Sequence, residues 1–105
     1  MSTRFTFVLA ASLLFVGNAL ADDGAALMKK NNCLVCHQTA AKAVGPSLKD
    51  IAAKYKGDDA AVASLEKKVR TGGAGNWGKI AMAPTPAKVT DAEIKAMVGA
   101  ILATK

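Results

Sequence analysis

The sequence predicts an all-α fold of about four helices. Three observations carry this. Apolar residues recur at i, i+3 and i+4 in the segments beginning near residues 46 and 90, capping residues and glycines bound those segments, and no stretch alternates like a half-buried strand. Residues 1–21 read as a secretory leader, with Arg4 as its positive start, an apolar stretch from Phe5 to Val16, and the small-residue site Ala19, Leu20, Ala21. That stretch of 12 residues is too short to cross a bilayer as a helix, which takes roughly 20 residues. The domain is therefore expected over residues 22–105, without a membrane span after cleavage; an uncleaved anchor is the duller alternative.

The first helix is expected from about Asp23 to Asn32, with Asp22 or Asp23 as N-cap, Ala26 and Leu27 as apolar contacts, and Lys29 and Lys30 at its C-terminal end. The second starts near Pro46, carries Leu48, Ile51, Ala52 and Tyr55 on one face, and stops at Gly57. The third, from about Asp59 to Thr71, places Val62, Leu65 and Val69 inward and ends at Gly72 and Gly73. The last opens on a capping box, Thr90 to Glu93, followed by Ile94, Met97, Val98, Ile101 and Leu102 on one stripe. Between the last two lies a long irregular stretch, Gly72 to Val89, of a length that usually signals function.

Removing the leader leaves 84 residues, a size at which a purely protein core is marginal and some staple is expected. It also leaves 13 basic side chains against 8 acidic ones, a formal charge of +5. The basic residues are scattered and the chain has only five aromatic residues. That pattern excludes a nucleic-acid footprint and favours an acidic protein partner.

Cys33 and Cys36 are the only cysteines and His37 is the only histidine, all within the run Cys33, Leu34, Val35, Cys36, His37. Two thiols spaced by two residues, with a histidine directly after the second, form the pattern that carries covalently attached haem. The thiols add to the two vinyl groups and the imidazole binds the iron. A disulfide is the default for an exported cysteine pair, but here it would close a very short loop and constrain the unfolded chain little.

A six-coordinate iron needs a second axial ligand, and without another histidine the candidate is a methionine. Met1 is in the leader, and Met28 and Met97 lie on helical faces where a core role is the better reading. Met82 sits in the irregular loop just before Pro84, where no helical stripe explains it. Imidazole plus thioether ligation favours ferrous iron and leaves no vacant position, which suits a one-electron carrier rather than an oxygen-activating enzyme.

With CLVCH stand Val44, Gly45 and Pro46 before the LKDIAAKY helix, the turn ending in Asn76, Trp77, Gly78, then Ile80, Ala81, Met82, and the VTDAE start of the last helix. On these residues the chain from Asp22 to Lys105 resembles a small bacterial class I cytochrome c of the cytochrome c-551/c-552 type. The resemblance implies the class I fold around one covalently bound haem c. Cys33 and Cys36 would form the thioethers, and His37 and Met82 would be the axial iron ligands. The Pro46 carbonyl would accept a hydrogen bond from the imidazole, and the Trp77 indole N–H would reach a haem propionate. Plain core packing is the alternative for Trp77.

Lys68 and Arg70 fall near where the family places a basic side chain close to a propionate, though solvated surface charge is the better reading of each. The family commonly flanks the methionine with prolines, whereas Lys79, Ala81 and Ala83 stand here. The stretch from Met82 to Val89 is about two residues longer, and an asparagine that helps to orient the sulfur has no clear counterpart. The stiffness of the Met82 loop is thereby in question.

The expected function is that of a soluble, monomeric, periplasmic monohaem electron carrier between respiratory complexes, and not an enzyme. Its partners would be redox proteins with acidic docking surfaces, met by lysines such as Lys42, Lys79 and Lys88. One alternative is a haem enzyme or sensor that uses a labile Met82 position. Another drops haem and makes CLVCH a thiol or metal site, but thioredoxin-like chemistry wants a strand–helix setting and zinc wants four ligands.

Overall fold

The computed structural model describes residues 19–105. The expected leader, residues 1–21, thus lies outside the described residues except for 19–21. The elements, in order, are α1 (Ala19–Lys30), α2 (Cys33–Cys36), α3 (Leu48–Lys54), α4 (Ala61–Thr71), β1 (Gly73–Gly75), β2 (Gly78–Met82) and α5 (Asp91–Leu102). None of the described helices is long and apolar enough to cross a membrane.

α5 is the element on which the others converge, packing most extensively against α1 and then against α4 and α3. Its stripe lies as the spacing predicts. Ile94, Met97 and Val98 are buried, and Ile101 and Leu102 are half-buried against the same cluster. Met28 from α1, Leu48 and Ile51 from α3, Val69 from α4 and Val89 complete the buried core. Met28 and Met97 therefore take the core role expected of them.

The crossing of α1 and α5 depends on Gly24. A Cβ there would lie 2.2 Å from the Ala96 carbonyl oxygen and 2.8 Å from Ala100 Cβ. This close approach corrects the expected buried face of the first helix in part: Gly24 and Met28 are buried and Leu27 packs half-buried against the core as expected, while Ala26 is exposed. The helix also starts earlier than expected. Ala19 and Leu20 are strong helix formers, so Asp22 and Asp23 lie inside α1 rather than capping it.

α3 begins two residues later than expected, because Ser47 is its cap. The Ser47 side chain accepts from the Asp50 N–H at 3.1 Å, and Pro46 stands before the cap rather than in the first turn. α4 starts at Ala61, and Asp58 accepts from the Ala60 N–H at 3.0 Å. Its Val62, expected inward, is 40% exposed, while Val69 is buried and Leu65 half-buried.

The largest difference from expectation is the hairpin. β1 and β2 pair antiparallel within the stretch read as irregular, in register Gly73 with Met82 and Gly75 with Gly78, with an irregularity between. Asn76 and Trp77 form its two-residue turn. Glycines at positive φ flank it, Gly75 at 124° and Gly78 at 120°. The pairing was hidden because these strands are exposed on nearly every residue, so no apolar alternation marks them.

Two predictions follow from this packing. Gly24→Ala should destabilise the protein by about 1–3 kcal/mol through overpacking at the crossing. Gly99→Ala in α5, where a Cβ meets nothing within 4 Å, should instead stabilise by up to about 1 kcal/mol; urea unfolding of both variants checks the contrast.

The second concerns the capping box, complete at α5 with Thr90 N–H donating to Glu93 at 3.0 Å and Glu93 N–H donating to the Thr90 hydroxyl at 3.1 Å. The Thr90 backbone N–H, then its hydroxyl, and more weakly the charge of Lys30, hold the Glu93 carboxyl below its ordinary value. A lowered folded pKa contributes stability above the unfolded value of about 4.3, lost as pH falls through the folded one. Glu93→Gln should therefore flatten the acid limb of the stability–pH curve measured by denaturant titration.

Candidate metal centre

The chain leaves α1 through Asn32, whose left-handed φ of 60° reverses it into α2. Spaced by three along this short helix, Cys33 and Cys36 project from one face. His37 follows at once as its C-cap, donating its backbone N–H to the Cys33 carbonyl at 2.9 Å. The three residues singled out by the sequence are thus placed by one turn of helix and its end.

Residues 38–47 then return the chain beneath the His37 ring. Gly45 N–H donates to the Cys36 carbonyl at 2.9 Å, and the ring lies so close to Gly45 that a Cβ there would come within 2.7 Å of His37 Cε1. The His37 Nδ1 is 2.9 Å from the Pro46 carbonyl oxygen. A carbonyl can only accept, so Nδ1 is the donor, and in the neutral imidazole Nε2 is then the nitrogen with the lone pair. Ser47, fully buried, caps α3. The first two N–H groups of α3, from Leu48 and Lys49, go to the carbonyls of Gln38 and Thr39 at 2.9 and 3.0 Å. The helix start and the imidazole are therefore fixed by the same loop.

These residues form part of a cleft of about 500 Å3, within the usual size range of cofactor sites. Cys33, Cys36, His37 and Pro46 line it, as do Ile51, Tyr55 and Leu65 from α3, its C-cap and α4, and Trp77, Ile80 and Met82 from the hairpin. All six residues expected at the site are brought to this one cleft. Met82 is half-buried at the end of β2 and packs against the core cluster, in a short strand rather than in the irregular loop expected.

Trp77 is not a core residue. It is 44% exposed at the tip of the hairpin, with Lys54 Nζ 4.4 Å from its ring centroid. Lys54 also donates to the Asn76 carbonyl at 3.1 Å. Of the lysines expected near the cleft edge, Lys88 lines it and Lys42 and Lys79 do not; Lys30 and Lys68 do.

The segment after Met82 is held by the end of α4. Thr85 N–H donates to the carbonyls of Val69 and Arg70 at 3.2 and 3.3 Å. Gly72 lets the two backbones meet, since a Cβ there would lie 2.3 Å from the Met82 carbonyl oxygen. Arg70, expected to be a solvated charge, instead reaches the carbonyls of Pro86 at 3.0 Å and Val89 at 2.6 Å, and Asp91 at 2.8 Å. None of these contacts was legible in the sequence, because all depend on how the loop packs back against the helix. Ser47 was more accessible, since Ser47, Leu48, Lys49, Asp50 is a recognisable helix-start pattern.

The donor set fits a covalently attached haem. It offers two thiols on one helical face, an imidazole with its distal nitrogen available for iron, and a thioether lining the same apolar-walled cleft. It fits the thiol and zinc alternatives poorly. Burial pushes the Cys33 thiol above its ordinary value, the opposite of an activated thiolate. Among the described residues no three His, Cys, Asp or Glu side chains converge to hold a metal ion.

Known proteins agree with this geometry. The family described as Cytochrome c matches residues 21–103. Cytochrome c-552 of Nitrosomonas europaea is 49% identical over 106 residues that span all of both chains. Its crystal structure covers 77% of this chain and 99% of its own at 51% identity, with a TM-score of 0.72. Cytochrome c-551 of Allochromatium vinosum is 52% identical over 85 residues, 81% of this chain and 87% of its own. The class 1 cytochrome MtoD of Sideroxydans lithotrophicus, 31% identical, covers 79% of this chain and 94% of its own with a TM-score of 0.69. The chain therefore belongs to the cytochrome c family, and within it to the small class I cytochromes of the c-551/c-552 type that carry covalently bound haem c.

Proposed function

We propose that this cytochrome is a monomeric periplasmic electron carrier, passing one electron at a time between respiratory redox complexes, and that it is not an enzyme. In this reading Cys33 and Cys36 would anchor the haem, and His37 Nε2 and Met82 Sδ would ligate its iron. When bound, the haem supplies a one-electron ferric–ferrous couple. The protein keeps both ligands in place so that little reorganises when the electron moves. The observation that carries this is the 2.9 Å contact between His37 Nδ1 and the Pro46 carbonyl, which sets the tautomer an iron ligand requires and orients the ring.

The remaining residues serve in support. Gly45 leaves room for the imidazole, and Met82 is braced by β1 and the end of α4. Trp77, at the cleft beside Lys54, would offer its indole N–H to a haem propionate. Partner docking would use the cleft mouth. Val44 and Ile80 line it and are 54% and 68% exposed, and Lys30, Lys68 and Lys88 line the same cleft. Exposed apolar side chains and lysines at one opening suit a redox partner with an acidic docking surface.

The test of the ligand set is a redox titration with optical spectra on holoprotein. Met82→Ala should lose the low-spin ferrous spectrum of the parent and lower the potential, since the thioether favours ferrous iron. A variant that kept the parent spectrum would show that the sixth ligand lies elsewhere. Carbon monoxide should bind the parent ferrous protein poorly at neutral pH; ready binding would favour the labile-methionine enzyme or sensor instead. For the domain boundary, exported protein should give the intact mass of a chain starting at Asp22 plus one haem.

A further inference from the structure

Ala81 and Ala83 stand directly beside Met82, with Pro84 and Pro86 further along, and the structure supplies another brace. We propose that Arg70 is a positioning residue that holds residues 83–90 against α4 and so keeps the Met82 sulfur on the iron. This rests on the reading of Met82 as a ligand and deepens it.

The argument begins at the end of α4. Arg70 sits in its last turn, and its guanidinium spans the loop from one end to the other. One terminal nitrogen donates to the Pro86 carbonyl at 3.0 Å and, more weakly, to Thr85 at 3.5 Å. The other donates to the Val89 carbonyl at 2.6 Å and to Asp91 at 2.8 Å. A planar fork can satisfy carbonyls from several residues at once, which a single ammonium cannot. The loop's backbone answers in kind, with Thr85 N–H donating to the carbonyls of Val69 and Arg70.

These contacts begin only three residues beyond Met82. Between them and Met82 the chain passes Gly72 too closely to admit a side chain there. Arg70 and Gly72 therefore fix the loop on the far side of Met82, as β1 fixes it on the near side. Asp91 contributes less, since its side chain is 97% exposed and an exposed ion pair adds little.

The experiment uses the holoprotein and two independent readouts, imidazole affinity of the ferric form and amide exchange by NMR. In Arg70→Ala, imidazole should displace the thioether about tenfold more readily, and the Thr85 and Val89 amides should exchange about tenfold faster. The potential should fall, while amides of α5 such as Ile94 and Val98 keep parental rates. Arg70→Lys, which keeps the charge without the fork, should fall between the two, and Asp91→Asn should match the parent. Parental imidazole affinity and parental Thr85 and Val89 exchange in Arg70→Ala would overturn the proposal, as would equal acceleration of the α5 amides. Should Arg70→Ala fail to fold, parental values in Arg70→Lys would overturn it. If the parent itself lacked the iron–thioether charge-transfer band, the ligand reading would fall instead.

Discussion

The hydrogen bond from His37 Nδ1 to the Pro46 carbonyl is the constraint around which the site is built. It joins residues nine apart in sequence and can form only if the intervening chain folds back under the ring. Each neighbouring feature serves that return. Gly45 leaves out the Cβ that would collide with the imidazole, and its N–H ties back to Cys36. Ser47 then starts α3, whose first N–H groups close onto Gln38 and Thr39. Because the same loop orients the ring and begins a core helix, the imidazole inherits the rigidity of the fold.

The Met82 side of the cleft is made differently. It rests on a glycine-rich hairpin that two strands alone would barely stabilise. Its support comes from the C-terminal end of α4, through the Val69 and Arg70 carbonyls, the close passage at Gly72 and the Arg70 guanidinium. A histidine held by the loop that starts a core helix and a methionine held by a hairpin and the end of α4 are supported in different ways.

This asymmetry also explains what could be read in advance. CLVCH, the capping box at Thr90 and the apolar stripe of α5 are local patterns, fixed by chemistry within a few residues, and all were legible. Met82 was singled out by elimination, since Met28 and Met97 fall on helical stripes and Met1 in the expected leader. The hairpin was not visible, because exposed glycine-rich strands carry no period. Arg70 resisted reading for a related reason, as a long flexible side chain at a half-buried position gives no hint of which carbonyls it will meet.

The sequence by itself determined the helical class, the cytochrome c resemblance and the candidates for the site, because spacing along one helix and caps at its ends act over short distances. The tertiary structure decided what those residues rest on: the Gly24 crossing of α1 and α5, the pairing of Met82 with Gly73, the place of Trp77 at the cleft beside Lys54, and the grip of Arg70 on the loop. Each of these needs separate segments to meet at one place, and such meetings are set by how the whole chain packs rather than by the pattern of any one run of residues.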